Sequence, residues 1–483
     1  MFLLLLILIF SASFLAVQLL DENLNGYGKS AAPLQYTLSI GLGLGMASCS
    51  YFVCLLLFKY KNTTSEIAEV LFYFILVACF LFYKKHTKNK DNYTNNIPFA
   101  LETNKILLGG FAIVVLVSIS YFLILSIKNI HGGWDAWAIW NMRARFLLRD
   151  GEHWTKALSA IYNWSHPDYP LLIPANISRI WNYIGNDTVI VPIAVSAVFT
   201  FLTISLLVSA LACIRSLSIG LLAGIVLMGM FRFIRQGAMQ CADIPFSFYL
   251  LAVIVLFYLY EKTCEKNRKL LFLAGAMAGF AAWTKNEGLL LLLSVFIAHV
   301  IVTVPVKGFK TYTKELTAFL AGLLPLILII AYFKTQLVPP NDLIAGQTGH
   351  SAIDRLTDYS RIMVISKSFW NEFFGIVKGR IIIFPLLIFM LGFKHSKEFK
   401  RSHYLASSVL FFMLVGYFTV YIFTPHDLKW HLETSLKRLF LHLLPSAIFI
   451  FFTMLKAPEE IAKTKLNLSL EQEPINSSEK AAA

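Results

Sequence analysis

Apolar runs close to the length of a bilayer crossing recur along this chain, separated by short polar stretches. About 20 consecutive apolar residues are enough to cross the hydrocarbon as a helix. The pattern predicts spans near 3–20, 34–58, 67–83, 106–127, 188–212, 217–235, 244–260, 270–283, 288–305, 315–333, 380–393, 404–423 and 437–455. That makes about 13 transmembrane helices, of which the stretches 270–283 and 380–393 are short enough to be tilted or re-entrant. The expected fold is an all-α polytopic membrane protein. Residues 1–105 read as an N-terminal transmembrane extension of about three spans, and 106–456 as the core. The tail 457–483 is polar and without period, so it is expected to be a disordered cytoplasmic segment. The opening run "MFLLLLILIFSASFLAVQLL" has no basic leader and exceeds a signal-peptide core, which favours a retained span.

Composition supports the membrane reading. Of 483 residues, 57% are hydrophobic and 14% charged, too few charges to cover a soluble surface. The net charge of +14 raises the question of nucleic acid, but the basic residues follow the membrane instead of forming one aromatic-laced patch. Loops 84–105, 212–216, 261–270, 306–314 and 394–403 hold 17 Lys/Arg in 56 residues, whereas loops 131–186 and 334–380 hold 11 in 103. Basic loops stay on the cytoplasmic side. Both long loops are therefore expected outside, with the C-terminus inside and the N-terminus outside. None of the cysteines (Cys49, Cys54, Cys79, Cys213, Cys241 and Cys264) falls in a long outer loop, and no CxxC occurs, so neither a disulfide framework nor a zinc cluster is expected.

The outer loop 131–186 opens with "HGGWDAWAIWNMRARF". Trp134, Trp137 and Trp140 fall at helical spacing, with Ile139, Phe146 and Leu147 on the same broad side and Asp135, Arg143 and Arg145 on an adjoining one. This predicts an interfacial helix with rings at headgroup level, joined by a turn to a second amphipathic helix after "HPDYPLLIP". Asp135 is either a helix N-cap or a general base at the membrane surface. His166 and Asp168 lie in a proline-stiffened turn, as solvated punctuation or as phosphate or metal contacts. Asp243, two residues before Pro245, is a cap or a site residue at the outer end of a span. Lys285 and Glu287 occupy a tight outer turn, where a lysine can meet a lipid phosphate. Lys437, Arg438 and His442 enter the last span, snorkelling or holding an anion. Chance would scatter these groups between the faces of the membrane, yet all map to the outer one.

In this order the residues resemble the GT-C superfamily of membrane glycosyltransferases, in particular protein O-mannosyltransferases and lipid A aminoarabinose transferases. The acid of the first outer loop matches Asp135, though Ala136 follows it where relatives often carry a second acid. The loop's His-Pro motif matches His166-Pro167 with Asp168, Tyr169 and Pro170. A D-x-P start matches Asp243 to Pro245, a K-x-x-G turn Lys285 to Gly288, and an Arg-bearing motif Leu436 to Pro445. The resemblance implies a polyprenyl-phosphate-linked sugar donor, a lipid, glycan or protein acceptor, and inverting transfer on the outer side. It implies Asp135 as base and Lys285, Arg438, His166 and Arg143 around the donor phosphate. Asp168, Asp243, Glu287, Tyr169 and His442 would orient substrates. A divalent cation, Mg or Mn, on Asp135, Asp168 and Asp243 is left open, since relatives differ. The alternative is a lipid or sugar transporter, which mid-span charges and inverted repeats would mark; neither is evident. Asn- and Lys-rich composition suggests a bacterial inner membrane, with the site facing the periplasm or exterior.

Overall fold

The computed structural model describes all residues except 21–30, 61, 88–104, 264–266, 342–348, 377–381, 395–398 and 463–483. Cys264 and much of the basic loops 84–105 and 394–403 lie outside the described residues.

The described residues are helical, with a single isolated bridge between Phe393 and Leu455. The elements are α1 (Phe2–Leu20), α2 (Ala32–Phe58), α3 (Thr63–Thr87), α4 (Lys105–Lys128), α5 (Asn141–Arg149), α6 (Leu172–Ile184), α7 (Ile190–Ile214), α8 (Leu217–Gly229) and α9 (Phe231–Ala238). They continue with α10 (Asp243–Lys262), α11 (Lys269–Thr284), α12 (Glu287–Lys307), α13 (Phe309–Tyr332), α14 (Gly349–Thr357), α15 (Tyr359–Ile376), α16 (Ile383–Leu391), α17 (Lys400–Phe423) and α18 (Leu428–Thr453). Among the described residues 10 helices are long and apolar enough to cross a membrane, or 11 if α8 and α9 form one span bent by 67°. Met230 leaves helical angles at that bend (φ −83°, ψ 77°). The other two of the expected 13 are α11, with 16 residues, and α16, with 9, both short of that length.

Helix α10 is the axis of the molecule. Every residue from Asp243 to Tyr260 is buried, and α7, α11 and α18 pack around it. A helix apolar on all sides is stable inside a bundle or against lipid, and α10 takes the first place. Hydroxyls on such helices bond back to the preceding turn, as Thr37 does to Pro33 O (2.7 Å) and Thr284 to Phe280 O (2.7 Å), which satisfies these two donors inside the apolar interior. Helices α11 and α13 approach so closely that a Cβ on Gly322 would lie 1.8 Å from Phe272 O, and one on Gly275 1.9 Å from Phe319 O. Small residues at such crossings let backbones touch. Helix α4, by contrast, leaves Ile106, Ile113, Leu116 and Ile127 exposed, as a lipid-facing helix does.

Two expectations change here. The N-terminal extension is built into the bundle instead of being appended to it. Helix α2 packs on α6 and α7, and buried Arg179 on α6 pairs with buried Glu69 on α3 at 2.8 Å. Tyr183 adds a hydrogen bond to the same carboxylate at 2.7 Å. The tail expected to be disordered from 457 is helical over 458–462. Glu460 there meets Arg215 (3.4 Å) and Lys394 (3.1 Å), and Glu459 accepts from Ser216 and Ser218.

Candidate functional site

The site forms because the chain leaving α4 is strapped to the start of α10. Gly133 N donates to Met239 O (2.9 Å), Gln240 Nε2 to Ile130 O (3.1 Å), and Asn141 Nδ2 to Gln240 Oε1 (2.9 Å). Gly132 sits at φ +74°, where a Cβ would lie 2.6 Å from both Met239 O and Ala136 Cβ. Glycine is required there on both counts. A π-helical turn, Ala136–Trp140, follows immediately. Such turns interrupt the 3.6-residue period. The three tryptophans therefore do not share one face as expected: Trp134 and Trp137 are half-exposed, while Trp140 turns inward and stacks on Tyr169 (5.6 Å, 2°).

Asp135 ends this strap. Its side chain makes no capping hydrogen bond; Arg438 Nη1 on α18 holds its Oδ2 at 2.6 Å instead. Asp243 does not cap α10 either. Its Oδ1 receives Lys285 Nζ (2.9 Å) and lies 2.9 Å from His442 Nε2, while Oδ2 receives Gln236 Nε2 (2.7 Å) and faces Arg438 Nε at 3.5 Å. Lys285 also pairs with Glu287 Oε1 at 2.9 Å and lies 5.9 Å from the centre of the Tyr169 ring. Burial opposes the Lys285 charge, but Asp243 and Glu287 outweigh it and hold its pKa above the ordinary lysine value. His442 Nδ1 lies 3.1 Å from Tyr417 OH. The turn that carries Lys285 and Glu287 is tight because Gly288 lies against α11, where a Cβ would come within 2.3 Å of Ala281 O.

A second polar group adjoins it. Asp168 Oδ2 accepts from Asn286 Nδ2 (2.6 Å) and Asn341 Nδ2 (2.7 Å), with Lys334 Nζ at 3.4 Å. Burial alone would raise the Asp168 pKa; Lys334, Asn341 and Asn286 reverse the effect and hold it below the usual range. His166 adopts φ +49° and stacks on Tyr169 at 5.1 Å, next to this group.

The structure thus gathers Asp135, Asp243, Lys285, Glu287, Arg438 and His442 into one cluster, with Tyr169 over it and Asp168 and His166 beside it. Two expectations need correction. Arg143 is not placed for a phosphate: it is buried and donates to the carbonyls of Tyr169 (2.9 Å), Ser165 (2.5 Å) and His166. Burial draws its pKa down to about 10. It clamps the turn that carries His166 to Tyr169. Lys285, only 2% exposed and engaged by two carboxylates, stands behind the cluster instead of at its surface. The second half of the outer loop also departs from the interfacial helix expected: α6 is buried from Leu172 to Arg179 beneath α2. Among the described residues no three His, Cys, Asp or Glu side chains converge as a metal ion requires. Asp135, Asp168 and Asp243 each face cations or amides.

Sequence reading missed Gln236, Tyr417, Lys334 and Asn341. Gln236 reaches Asp243 only because α9 is bent back at Met230, and Lys334 and Asn341 only because α13 ends beside the Asp168 turn. No local pattern announces either event. The expected placement of loops 131–186 and 334–380 on one side was the one available signal for Lys334 and Asn341.

No family model, curated protein or solved structure matches the chain. Fold and hydropathy define it as a polytopic helical membrane protein, with a buried ionic cluster at the starts of α10 and α12 and midway along α18.

Proposed function

We propose that this protein is a glycosyltransferase that moves a sugar from a polyprenyl-phosphate donor to a hydroxyl of a lipid, glycan or protein acceptor at the outer face of a bacterial inner membrane. The observation that carries the proposal is the Asp135–Arg438–Asp243–Lys285 chain of ion pairs, whose outer members, Asp135 and Arg438, are 15% and 26% exposed beside the half-exposed Trp134 and Trp137. A donor with a lipid tail presents its phosphate at headgroup level, where indoles also reside. In the proposed reaction the acceptor oxygen gives its proton to Asp135 and forms a bond to the anomeric carbon. The bond from that carbon to the phosphate oxygen breaks, its electron pair leaves with polyprenyl phosphate, and the configuration inverts. Arg438 stabilises the phosphate as its charge grows, a role for a pre-placed cation. Lys285 and His442 hold Asp243, which in turn orients Arg438. A hexose or a pentose fits this chemistry equally.

Cells lacking the protein are expected to accumulate a polyprenyl-phosphate sugar that lipid extraction and mass spectrometry detect. An unchanged lipid profile would count against the reading. The transporter alternative draws on the broken α8–α9 pair, a geometry that transporters use for ion sites. It predicts accumulation too, but no sugar transfer by the purified protein. The orientation is tested separately. Single cysteines at Glu152 and Lys310, in a background without the native cysteines, should label from opposite sides of sealed vesicles. Labelling of both from one side would reject the outward-facing site.

A further inference from the structure

We infer that Asp135 and the phosphate compete for Arg438, so that engagement of the phosphate and release of the Asp135 carboxylate are one event. The inference rests on the transferase reading above and adds a coupling within its site. Four observations carry it. Arg438 is the reachable cation of the cluster, 26% exposed against 2% for Lys285. Lys285 is engaged by Asp243 and Glu287, both at 2.9 Å. Asp243 keeps Lys285, His442 and Gln236 if Arg438 turns away, so its buried charge stays satisfied. Asp135 has Arg438 as its one ion-pair partner among the described residues and caps no helix.

Charge balance gives the coupling a direction. Three carboxylates (Asp135, Asp243 and Glu287) face two cations (Lys285 and Arg438), so the cluster carries an excess negative charge that opposes an anion. Proton transfer from the acceptor hydroxyl removes the charge on Asp135. In the same step the donor phosphodiester, singly charged, becomes a monoester with a second ionisable oxygen. The carboxylate's claim on Arg438 therefore vanishes as the phosphate's claim grows. Asp135 acts in this scheme both as base and as the group that holds Arg438 until the phosphate takes it.

The test uses the full-length protein in detergent at low salt, with farnesyl phosphate as probe and binding read by titration calorimetry. Asp135→Asn, and Asp135→Ala as a second variant, should bind the probe about tenfold more tightly than wild type. The gain should disappear when Arg438→Gln is added. Inorganic phosphate should bind far more weakly than the lipid phosphate. Equal or weaker binding of farnesyl phosphate by folded Asp135 variants would overturn the competition while leaving the phosphate site standing. Absence of saturable binding in wild type and both variants would overturn the competition and the transferase reading together. Equal affinity for inorganic phosphate would overturn the lipid donor.

Discussion

Replacing Asp135 by asparagine should abolish sugar transfer while leaving a folded protein. The substitution keeps size and shape, and Asp135 makes no capping hydrogen bond whose loss would unsettle the π-helical turn. Its ion pair with Arg438 is partly exposed, and Arg438 keeps Asp243 as a partner when that pair is lost. Expression and thermal melting should stay close to wild type. Removal of a general base costs on the order of 100-fold or more in rate. A transfer assay with purified protein and a polyprenyl-phosphate sugar should show a loss of that size in kcat, with donor affinity improved. Near-normal transfer by the asparagine variant would move the base elsewhere. Asp168 would be the next residue to test, because Asp243 is enclosed by four donor groups.

Lys285→Ala is expected to act on folding first and on chemistry second. The lysine is buried between Asp243 and Glu287, and the alanine variant removes the ion-pair partner of Glu287 and leaves Asp243 with Arg438, His442 and Gln236 in a low-dielectric interior. Breaking a buried ion pair from one side costs about 3–5 kcal/mol. The variant should lose most of its folded yield and melt well below wild type in detergent. The double variant Lys285→Ala/Asp243→Ala should recover part of the loss, since both members of one pair are gone. A single variant with wild-type melting would show that water or a shifted side chain already relieves the pair, and would reopen Lys285 as a direct phosphate ligand. The contrast with Arg438 is one of place. Both cations meet the same carboxylate, but one lies at the surface and the other behind it.

Hydropathy by itself determined the helical membrane class and most span positions, and charge placement supplied the expectation that the acidic and basic candidates share one side. These follow from solvent: a backbone in hydrocarbon must close its hydrogen bonds within helices, and each apolar run declares its own length. Local chemistry also made Asp135, Asp243, Lys285 and Arg438 visible, since charged groups at span ends stand out against apolar neighbours. The tertiary structure alone decided which of them meet. Whether Asp243 caps its helix or anchors Lys285, His442 and Gln236 depends on how α9, α11 and α18 pack around α10, a matter of contacts between residues up to 199 positions apart. The same holds for Arg143, which the family resemblance implied as a phosphate ligand, while packing buried it among backbone carbonyls. Sequence period could not reveal the π-helical turn that directs Trp140 inward, because that turn is set by the strap from Gly132 and Gly133 to Met239 and Gln240. Burial and pairing arise from the sum of long-range contacts, and no single segment of the chain contains that sum.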